Sequence, residues 1–201
     1  MTVRHYDWLA HHADRTPDKT AWVDLHSNRR FNYAEAEERS CRLAWHFQNN
    51  CGIVKGDRVG VLAMNSTDML EIQSACAKIG AVFLPLNWRL TVTELIFIIE
   101  DARPKIMVHD KQFSDEIAAL RESTEVEQFL ETTGGGGETA YETAISDAQP
   151  TPALADLTLD DVWTIMYTSG TTGLPKGAMN TYGMTFYNAV NLGIPAFVTP
   201  S

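Results

Sequence analysis

The sequence has few cysteines and no segment typical of a secreted or membrane protein. Its three cysteines, Cys41, Cys51 and Cys76, are odd in number and lack the Cys-x-x-Cys spacing of a zinc or redox site. This pattern excludes a disulfide framework and indicates reduced thiols. The first residues contain no apolar run long enough for a signal peptide, and no later segment is long and apolar enough to span a membrane. The sequence therefore predicts a cytoplasmic protein.

Basic residues are also scarce. Lysine and arginine number 16, against 26 aspartates and glutamates, which gives a formal net charge of -10. An acidic surface repels phosphate backbones and anionic lipids, so neither nucleic acid nor an anionic membrane is expected as a general partner. The hydrophobic content of 44% is that of an ordinary globular protein. A chain of 201 residues can therefore form one domain or a large part of one.

Carboxylates are missing from the last part of the sequence. After Asp161 no aspartate or glutamate occurs through Ser201, and Lys176 is the one charged residue in that span. A segment with a single charge is unlike an ordinary protein surface, so we expect another part of a larger protein to cover it. The same lack of carboxylates suits an anionic ligand near Lys176, because phosphate oxygens repel carboxylates.

A loop rich in glycine and hydroxyl groups lies within this span. Residues 167–177 read Tyr-Thr-Ser-Gly-Thr-Thr-Gly-Leu-Pro-Lys-Gly. The segment before them, residues 162–167, is apolar or β-branched at nearly every position and predicts a strand buried on both faces. Glycines let backbone N–H groups converge, hydroxyls add donors and a lysine adds charge, as a bound polyphosphate requires. A solvated surface turn is the alternative, and no Walker A pattern occurs anywhere.

The complete string resembles the phosphate-loop signature of the AMP-forming adenylating enzymes, which include acyl-CoA synthetases, luciferases and the adenylation domains of peptide synthetases. Their pattern is Tyr/Phe-Thr/Ser-Ser-Gly-Ser/Thr-Thr-Gly-x-Pro-Lys-Gly, and every position is matched here. Residues 77–90 and 183–192 are most similar to fatty acyl-CoA synthetases. Tyr182 departs from the histidine that family members often carry after the loop, which affects the shape of the active site or acyl pocket.

The resemblance implies that residues 1–201 are the N-terminal portion of the AMP-binding domain, without the rest of that domain or the small C-terminal domain. It also implies a two-step reaction. A carboxylic acid, fatty or otherwise aliphatic, attacks the α-phosphorus of ATP to give an acyl-adenylate and pyrophosphate, and coenzyme A then accepts the acyl group as a thioester. The implied partners are thus ATP, the acid and coenzyme A, and a homodimer is allowed because many relatives are dimers.

Carried onto this chain, the family pattern assigns phosphate-binding residues and one magnesium contact. The glutamate that completes the magnesium site and the lysine that promotes adenylation would lie beyond Ser201. No catalytic residue is therefore expected in this chain, which should be inactive alone. Two other functions remain open, an adenylation domain that loads a carrier protein and a non-catalytic fragment. The assigned phosphate-binding residues are Thr168, Ser169, Gly170, Thr171, Thr172, Gly173 and Lys176, and Thr168 also contacts Mg²⁺.

Strand and helix patterns alternate along the chain. This alternation predicts an α/β fold with a mostly parallel sheet flanked by helices. Residues 132–138, with four consecutive glycines between two glutamates, predict a flexible connector, since a phosphate nest would need a nearby cation. A helix over residues 180–192 is expected to direct its positive N-terminal end at a ligand in the loop. The other predicted helices cover residues 6–13, 33–50, 67–78, 93–102, 113–123 and 141–148, and the other strands lie near residues 20–24, 30–33, 58–64, 81–84 and 105–109.

Overall fold

The computed structural model describes residues 3–132, 134, 137–168 and 174–193 of the chain. The helices are α1 Trp8–Arg15, α2 Tyr33–Asn49, α3 Thr67–Ile79, α4 Val92–Ala102, α5 Ser114–Ser123, α6 Ala140–Asp147 and α7 Tyr182–Gly193, with a short 3-10 helix at Lys111–Phe113. The strands are β1 Thr20–Val23, β2 Arg30–Asn32, β3 Arg58–Leu62, β4 Val82–Pro85, β5 Ile106–Asp110, β6 Gln128–Thr132, β7 Val162–Thr168 and β8 Lys176–Thr181.

A six-stranded sheet forms the centre of the fold, in the order β6-β5-β3-β4-β7-β8. Its neighbouring strands are parallel except β7 and β8, which are antiparallel. The short strands β1 and β2 form a separate antiparallel hairpin. The predicted α/β fold with a mostly parallel sheet is confirmed. Among the described helices, none has the length and apolar character needed to cross a lipid bilayer.

Two apolar clusters cover the two faces of this sheet. The first joins α2, α3 and α6 to one face, with Phe47, Ile72 and Tyr141 packed near strand residues such as Val61. The second joins α4 and α5 to the other face. Because successive side chains of a strand point to opposite faces, Val61 belongs to the first cluster and its neighbour Leu62 to the second. The fold is therefore a three-layer arrangement with the sheet in the middle.

Local sequence explains where several helices begin and end. At the start of α2, Asn32 and Glu35 form a reciprocal capping box, in which each side chain accepts a hydrogen bond from the other residue's backbone N–H. Helix α3 ends as expected at Gly80, which has a φ of +74°. Ser66 occupies the N-cap position of α3, but its hydroxyl makes no capping hydrogen bond with a described residue.

A buried network of charges fastens the first hairpin to α2, α3 and α6. Arg39 of α2 donates two hydrogen bonds to Glu71 of α3 and two to Glu142 of α6. Arg29 bonds Asp68 and also reaches Glu142. The carboxylate of Glu71 is fully buried and accepts a further hydrogen bond from the Tyr141 hydroxyl. Each buried charge therefore has an opposite partner, which offsets its loss of hydration.

Three elements of the structure differ from what the sequence predicted. Strand β6 was not predicted, and it pairs in parallel with β5 at the far edge of the sheet. Strand β7 is present, but it is not buried on both faces, since Thr164 is buried and Met166 is 48% exposed. The expected helix over residues 180–192 begins only at Tyr182, because residues 176–181 form strand β8 instead.

Candidate functional site

The predicted phosphate loop connects the two strands of the β7–β8 hairpin. Thr168 is the last residue of β7, Lys176 is the first of β8, and the two are direct cross-strand partners. The chain therefore leaves the sheet at Thr168 and re-enters it beside the same residue at Lys176. The predicted site residues between them, Ser169, Gly170, Thr171, Thr172 and Gly173, lie outside the described residues.

The two ends of the loop, Thr168 and Lys176, lie at the end of the sheet where open α/β proteins bind ligands. Strand β4 lies on one side of β3 and β5 on the other, and the helices that follow β3 and β4 pack on opposite faces. Such a change of direction leaves a crevice at the carboxyl ends of the strands. Strand β7 is parallel to β4, so its last residue, Thr168, lies at this carboxyl end of the strands. Topology alone thus brings the loop to a favourable place for a ligand.

The side chains at the two ends of the loop are available to solvent. Thr168 and Lys176 are both exposed. Within the part of the chain that the structure describes, the Lys176 ammonium makes no hydrogen bond or ion pair. A hydroxyl donor and an unpaired cation side by side are suited to an anion with several oxygens, such as a phosphate.

The described residues do not by themselves form a metal site. No group of three or more histidine, cysteine, aspartate or glutamate side chains in the described ranges is arranged to hold an ion. The Thr168 hydroxyl can contribute one neutral oxygen. Mg²⁺ is usually held by one or two carboxylates together with substrate phosphates and waters. The residues present therefore fit an ion that arrives with a polyphosphate, and they do not fit an ion bound by this chain alone.

The expectation that α7 directs its N-terminus at the loop is wrong. Helix α7 begins after β8, at the end of the hairpin opposite to Lys176. Six strand residues separate the two points by about 17 Å. The first amides of α7 also have protein partners: Tyr182 N–H donates to the Asp161 carbonyl, Gly183 N–H to the Leu159 carbonyl and Met184 N–H to the Thr181 hydroxyl. The positive end of this helix is thus directed at the base of β7.

The hairpin next to the loop is packed around Tyr167. This side chain lies opposite Gly177 on β8, and an added Cβ at Gly177 would approach its ring to 3.0 Å. The Tyr167 hydroxyl donates a hydrogen bond to the carboxylate of Asp101, near the end of α4. Burial, followed by the bond to Asp101, raises the pKa of Tyr167, so the phenol remains a donor at neutral pH.

A separate cavity involves Tyr182, the residue that departs from the family pattern. The cavity has a volume of about 800 Å³ and lies between the N-terminal segment, α3 and α7. Tyr182 is 4% exposed and its ring packs at 4.1 Å from that of His5. Its buried hydroxyl has no hydrogen-bond partner among the described residues. Sequence reasoning did not find this cavity, because residues far apart in the chain line it, and neither Thr168 nor Lys176 belongs to it.

Comparisons with known proteins agree with this arrangement. Residues 9–199 match the family described as AMP-binding enzyme. The feruloyl-CoA synthase of Amycolatopsis sp is 37% identical over 185 residues, which cover 92% of this chain and 35% of that protein. The 3-oxocholest-4-en-26-oate–CoA ligase of Rhodococcus rhodochrous is 31% identical over 187 residues, or 89% of this chain and 33% of that protein.

A solved structure extends the similarity to the fold. ATP-bound MatB from Rhodopseudomonas palustris superposes with a TM-score of 0.79 and 32% identity, over 94% of this chain and 37% of that one. The chain thus spans about a third of the length of the curated relatives that it matches. From the match over residues 9–199 and these similarities, we conclude that the chain belongs to the AMP-binding enzyme family and corresponds to its N-terminal part.

Proposed function

We propose that the protein to which this chain belongs activates a carboxylic acid with ATP and transfers the acyl group to coenzyme A. Residues 1–201 would be the N-terminal portion of its AMP-binding domain. The observation that carries this proposal is that Thr168 and Lys176 are cross-strand partners at the two ends of the loop, at the carboxyl end of the parallel strands, and that Lys176 forms no ion pair with any residue that the structure describes. The family of the chain and the CoA ligases among its relatives support the same reaction class.

The loop would hold the part of ATP that leaves. When the acid's carboxylate attacks the α-phosphorus, the bond to the β-phosphate breaks and negative charge builds on pyrophosphate. Donors and a cation placed at that charge stabilise the transition state more than the ground state. Lys176 and the Thr168 hydroxyl are the described residues in this role. The remaining members of the proposed phosphate-binding set are Ser169, Gly170, Thr171, Thr172 and Gly173.

Mg²⁺ would be held jointly by the phosphates and by Thr168. When bound, the ion neutralises charge on the leaving phosphate oxygens. The chain contributes the Thr168 hydroxyl, and the proposal takes the carboxylate ligand from a glutamate later in the protein. A lysine later in the protein would promote adenylation, so no residue of this chain is proposed as catalytic. The 201-residue chain should accordingly bind ATP weakly and turn over no acid when produced alone.

The proposed acid is a fatty or other aliphatic acid, and the proposed acceptor is coenzyme A. The names of the relatives support acid–CoA ligation, and they include a feruloyl-CoA synthase, a steroid-acid ligase and a 2-succinylbenzoate ligase. A panel of acids should therefore contain medium- and long-chain fatty acids, ferulate, 2-succinylbenzoate and the steroid acid. If the substrate is aliphatic, a fatty acid should give the largest kcat/KM in this panel. A higher kcat/KM with ferulate would contradict the proposed substrate class. A homodimer is also proposed, to be measured by light scattering.

The central test measures acid-dependent exchange of pyrophosphate into ATP by the whole protein. Lys176→Ala should reduce the exchange rate by about 100-fold, because one donor to the leaving group is removed. Lys111→Ala is the matched control, since Lys111 is exposed on the short 3-10 helix after β5 and should exchange at the wild-type rate. Equal rates for Lys176→Ala and the wild type would contradict the assigned role of the loop.

The acceptor is tested separately from activation. With the best acid, added coenzyme A should be converted to a thioester, as measured by mass spectrometry. Exchange without coenzyme A acylation, but with acylation of a carrier protein, would favour a carrier-loading domain instead. A whole protein without exchange for any acid in the panel would favour the non-catalytic alternative.

A further inference from the structure

We propose that Tyr167 and Asp101 act together as a positioning pair that holds the loop end of the β7–β8 hairpin in register for ATP. Tyr167 immediately precedes Thr168. The residue opposite Tyr167 on β8 is Gly177, which immediately follows Lys176. This inference rests on the proposed function, because it assumes that the loop holds the phosphates. Neither residue is proposed to contact ATP or a reacting atom.

The loop end of the hairpin is weakly attached to the rest of the sheet. Strand β7 pairs with β4 at Thr164 and Phe83, and the Thr164 hydroxyl also donates to the Phe83 carbonyl. Beyond Ile165, β7 has no strand partner on that side within the described ranges, and β8 is the outermost strand there. The last residues before the loop therefore depend on contacts other than backbone pairing to stay in place.

The Tyr167 hydroxyl supplies such a contact. Its hydrogen bond to Asp101 is, among the described residues, the one hydrogen bond that links residues 166–168 to an element outside the hairpin. The ring also packs against the apolar cluster beneath α4 and α5. A side chain anchored at both its ring and its hydroxyl limits the positions that the backbone of the next residue, Thr168, can adopt.

Asp101 lies where a carboxylate is unfavourable for its own helix. It is the penultimate residue of α4, and the last turn of that helix contains no basic residue. A negative charge in the last turn is destabilised by the partial negative charge of the terminal carbonyl groups. The hydrogen bond from Tyr167 offsets this cost. The bond also gives the Asp101 carboxylate a partner outside α4.

Gly177 makes room for the pair. Its position opposite Tyr167 leaves space for the ring, because an added Cβ would meet ring atoms at 3.0 and 3.2 Å and Ile165 at 3.0 Å. An aromatic ring covering a glycine on the neighbouring strand is a known way to stabilise such a pair. Gly177, the residue that follows Lys176, therefore leaves the space that the Tyr167 ring occupies.

The pair can be tested by kinetics on the whole protein. Tyr167→Phe removes the hydroxyl and keeps the ring. It should raise the KM for ATP about fivefold, since a hydrogen bond to a charged but exposed carboxylate is lost. The KM for the acid should be unchanged. Asp101→Ala should have the same effect, and the double variant should be no worse than either single variant. Asp101→Asn keeps an acceptor and should recover most of the ATP affinity.

Two controls separate positioning from general damage. Tyr187→Phe removes the hydroxyl of an exposed tyrosine on α7, and Glu100→Ala removes an exposed carboxylate from the same turn of α4 as Asp101. Both controls should retain the wild-type KM for ATP. A wild-type KM in Tyr167→Phe, additive effects in the double variant, or an equal rise in the KM for the acid would each overturn the proposal.

Amide hydrogen exchange tests the attachment independently of activity. In Tyr167→Phe, the amides of residues 166–168 and 176–178 should exchange faster, while those of β3 and β5 remain as in the wild type. Unchanged exchange at the hairpin would also overturn the proposal. If the wild type shows no pyrophosphate exchange but the hairpin amides respond as expected, the proposed function fails while the structural attachment stands.

Discussion

Replacing Arg39 with methionine tests whether the buried charges hold the helical layer together. Methionine is uncharged and similar in length, so it keeps apolar contact with the Phe31 ring, from which the guanidinium carbon lies 5.1 Å away. The substitution removes four hydrogen bonds and leaves Glu71 without its main partner. The perturbation is therefore electrostatic rather than a loss of packing.

The size of the effect follows from the burial of Glu71. Removing one member of a buried ion pair typically costs 3–5 kcal/mol, because the other charge stays buried. Arg29 remains nearby, with its Nη2 atom at 4.0 Å from Glu71 and 3.2 Å from Glu142, and it takes up part of the charge. We therefore expect the lower end, about 3 kcal/mol. For a chain of this size, that corresponds to a fall in Tm of about 6–12 °C.

The loss should depend on pH in a defined direction. Burial raises the pKa of the Glu71 carboxyl, and the hydrogen bonds and charge of Arg39 oppose that rise. Without Arg39 the pKa rises further, so the folded variant holds a proton that the unfolded chain releases near pH 4.3. Stability linked to this proton is present at low pH and is lost as the pH rises through the folded pKa. The deficit of Arg39→Met should be larger at pH 8 than at pH 5.

Urea denaturation at pH 5, 7 and 8 measures these values directly. Arg4→Met is the matched control, since Arg4 pairs with Asp156 at 3.4 Å in a largely exposed geometry and should cost less than about 1 kcal/mol. A deficit in Arg39→Met below about 1 kcal/mol at pH 7 would refute the reasoning, given the range for buried pairs. So would a deficit of the same size at pH 5 and pH 8.

Two further predictions concern a glycine and the thiols. Gly80→Ala should lower the free energy of unfolding by about 1–3 kcal/mol more than Gly56→Ala does. Both glycines have a positive φ, but only at Gly80 is an added Cβ crowded, at 2.9 Å from the Lys55 side chain. Equal losses in urea denaturation would show that backbone strain alone determines the cost. Burial raises the pKa of Cys51 to about 11 and of Cys41 to about 12, and that of the fully buried Cys76 as well. At pH 8 the native thiols should react with a disulfide reagent at least about 100-fold more slowly than free cysteine, and rapid reaction before denaturation would contradict this.

The order of helices and strands could be predicted from periodicity and end signals. The helices predicted over residues 33–50 and 67–78 each lie within one residue of the observed bounds of α2 and α3. Strand β8 could not be predicted in the same way. Its sequence, Lys-Gly-Ala-Met-Asn-Thr, contains poor strand formers and no alternation, and it is a strand because it pairs with β7. Strand β6 likewise depends on its pairing with β5.

The motif indicated where the candidate site lies, but not how it is supported. The sequence motif identified Thr168 and Lys176. It did not predict that the two are neighbours, because that depends on the pairing of β8 with β7. The hydrogen bond between Tyr167 and Asp101 joins residues 66 positions apart, so no local sequence pattern could predict it. The burial of β7 was overestimated because an apolar sequence indicates what a strand can pack against, whereas exposure depends on which neighbours cover it.

The order of strands in the sheet has a consequence for synthesis on the ribosome. Strands β3, β4, β5 and β6 all lie within residues 58–132, so they can pair while the rest of the chain is still emerging. Until residue 164 is available, β4 presents an open edge, and among the described strands those of the hairpin are the last to join the sheet. The nascent β4 edge is therefore open to wrong pairing until the hairpin covers it, and a chaperone would be of use at that stage.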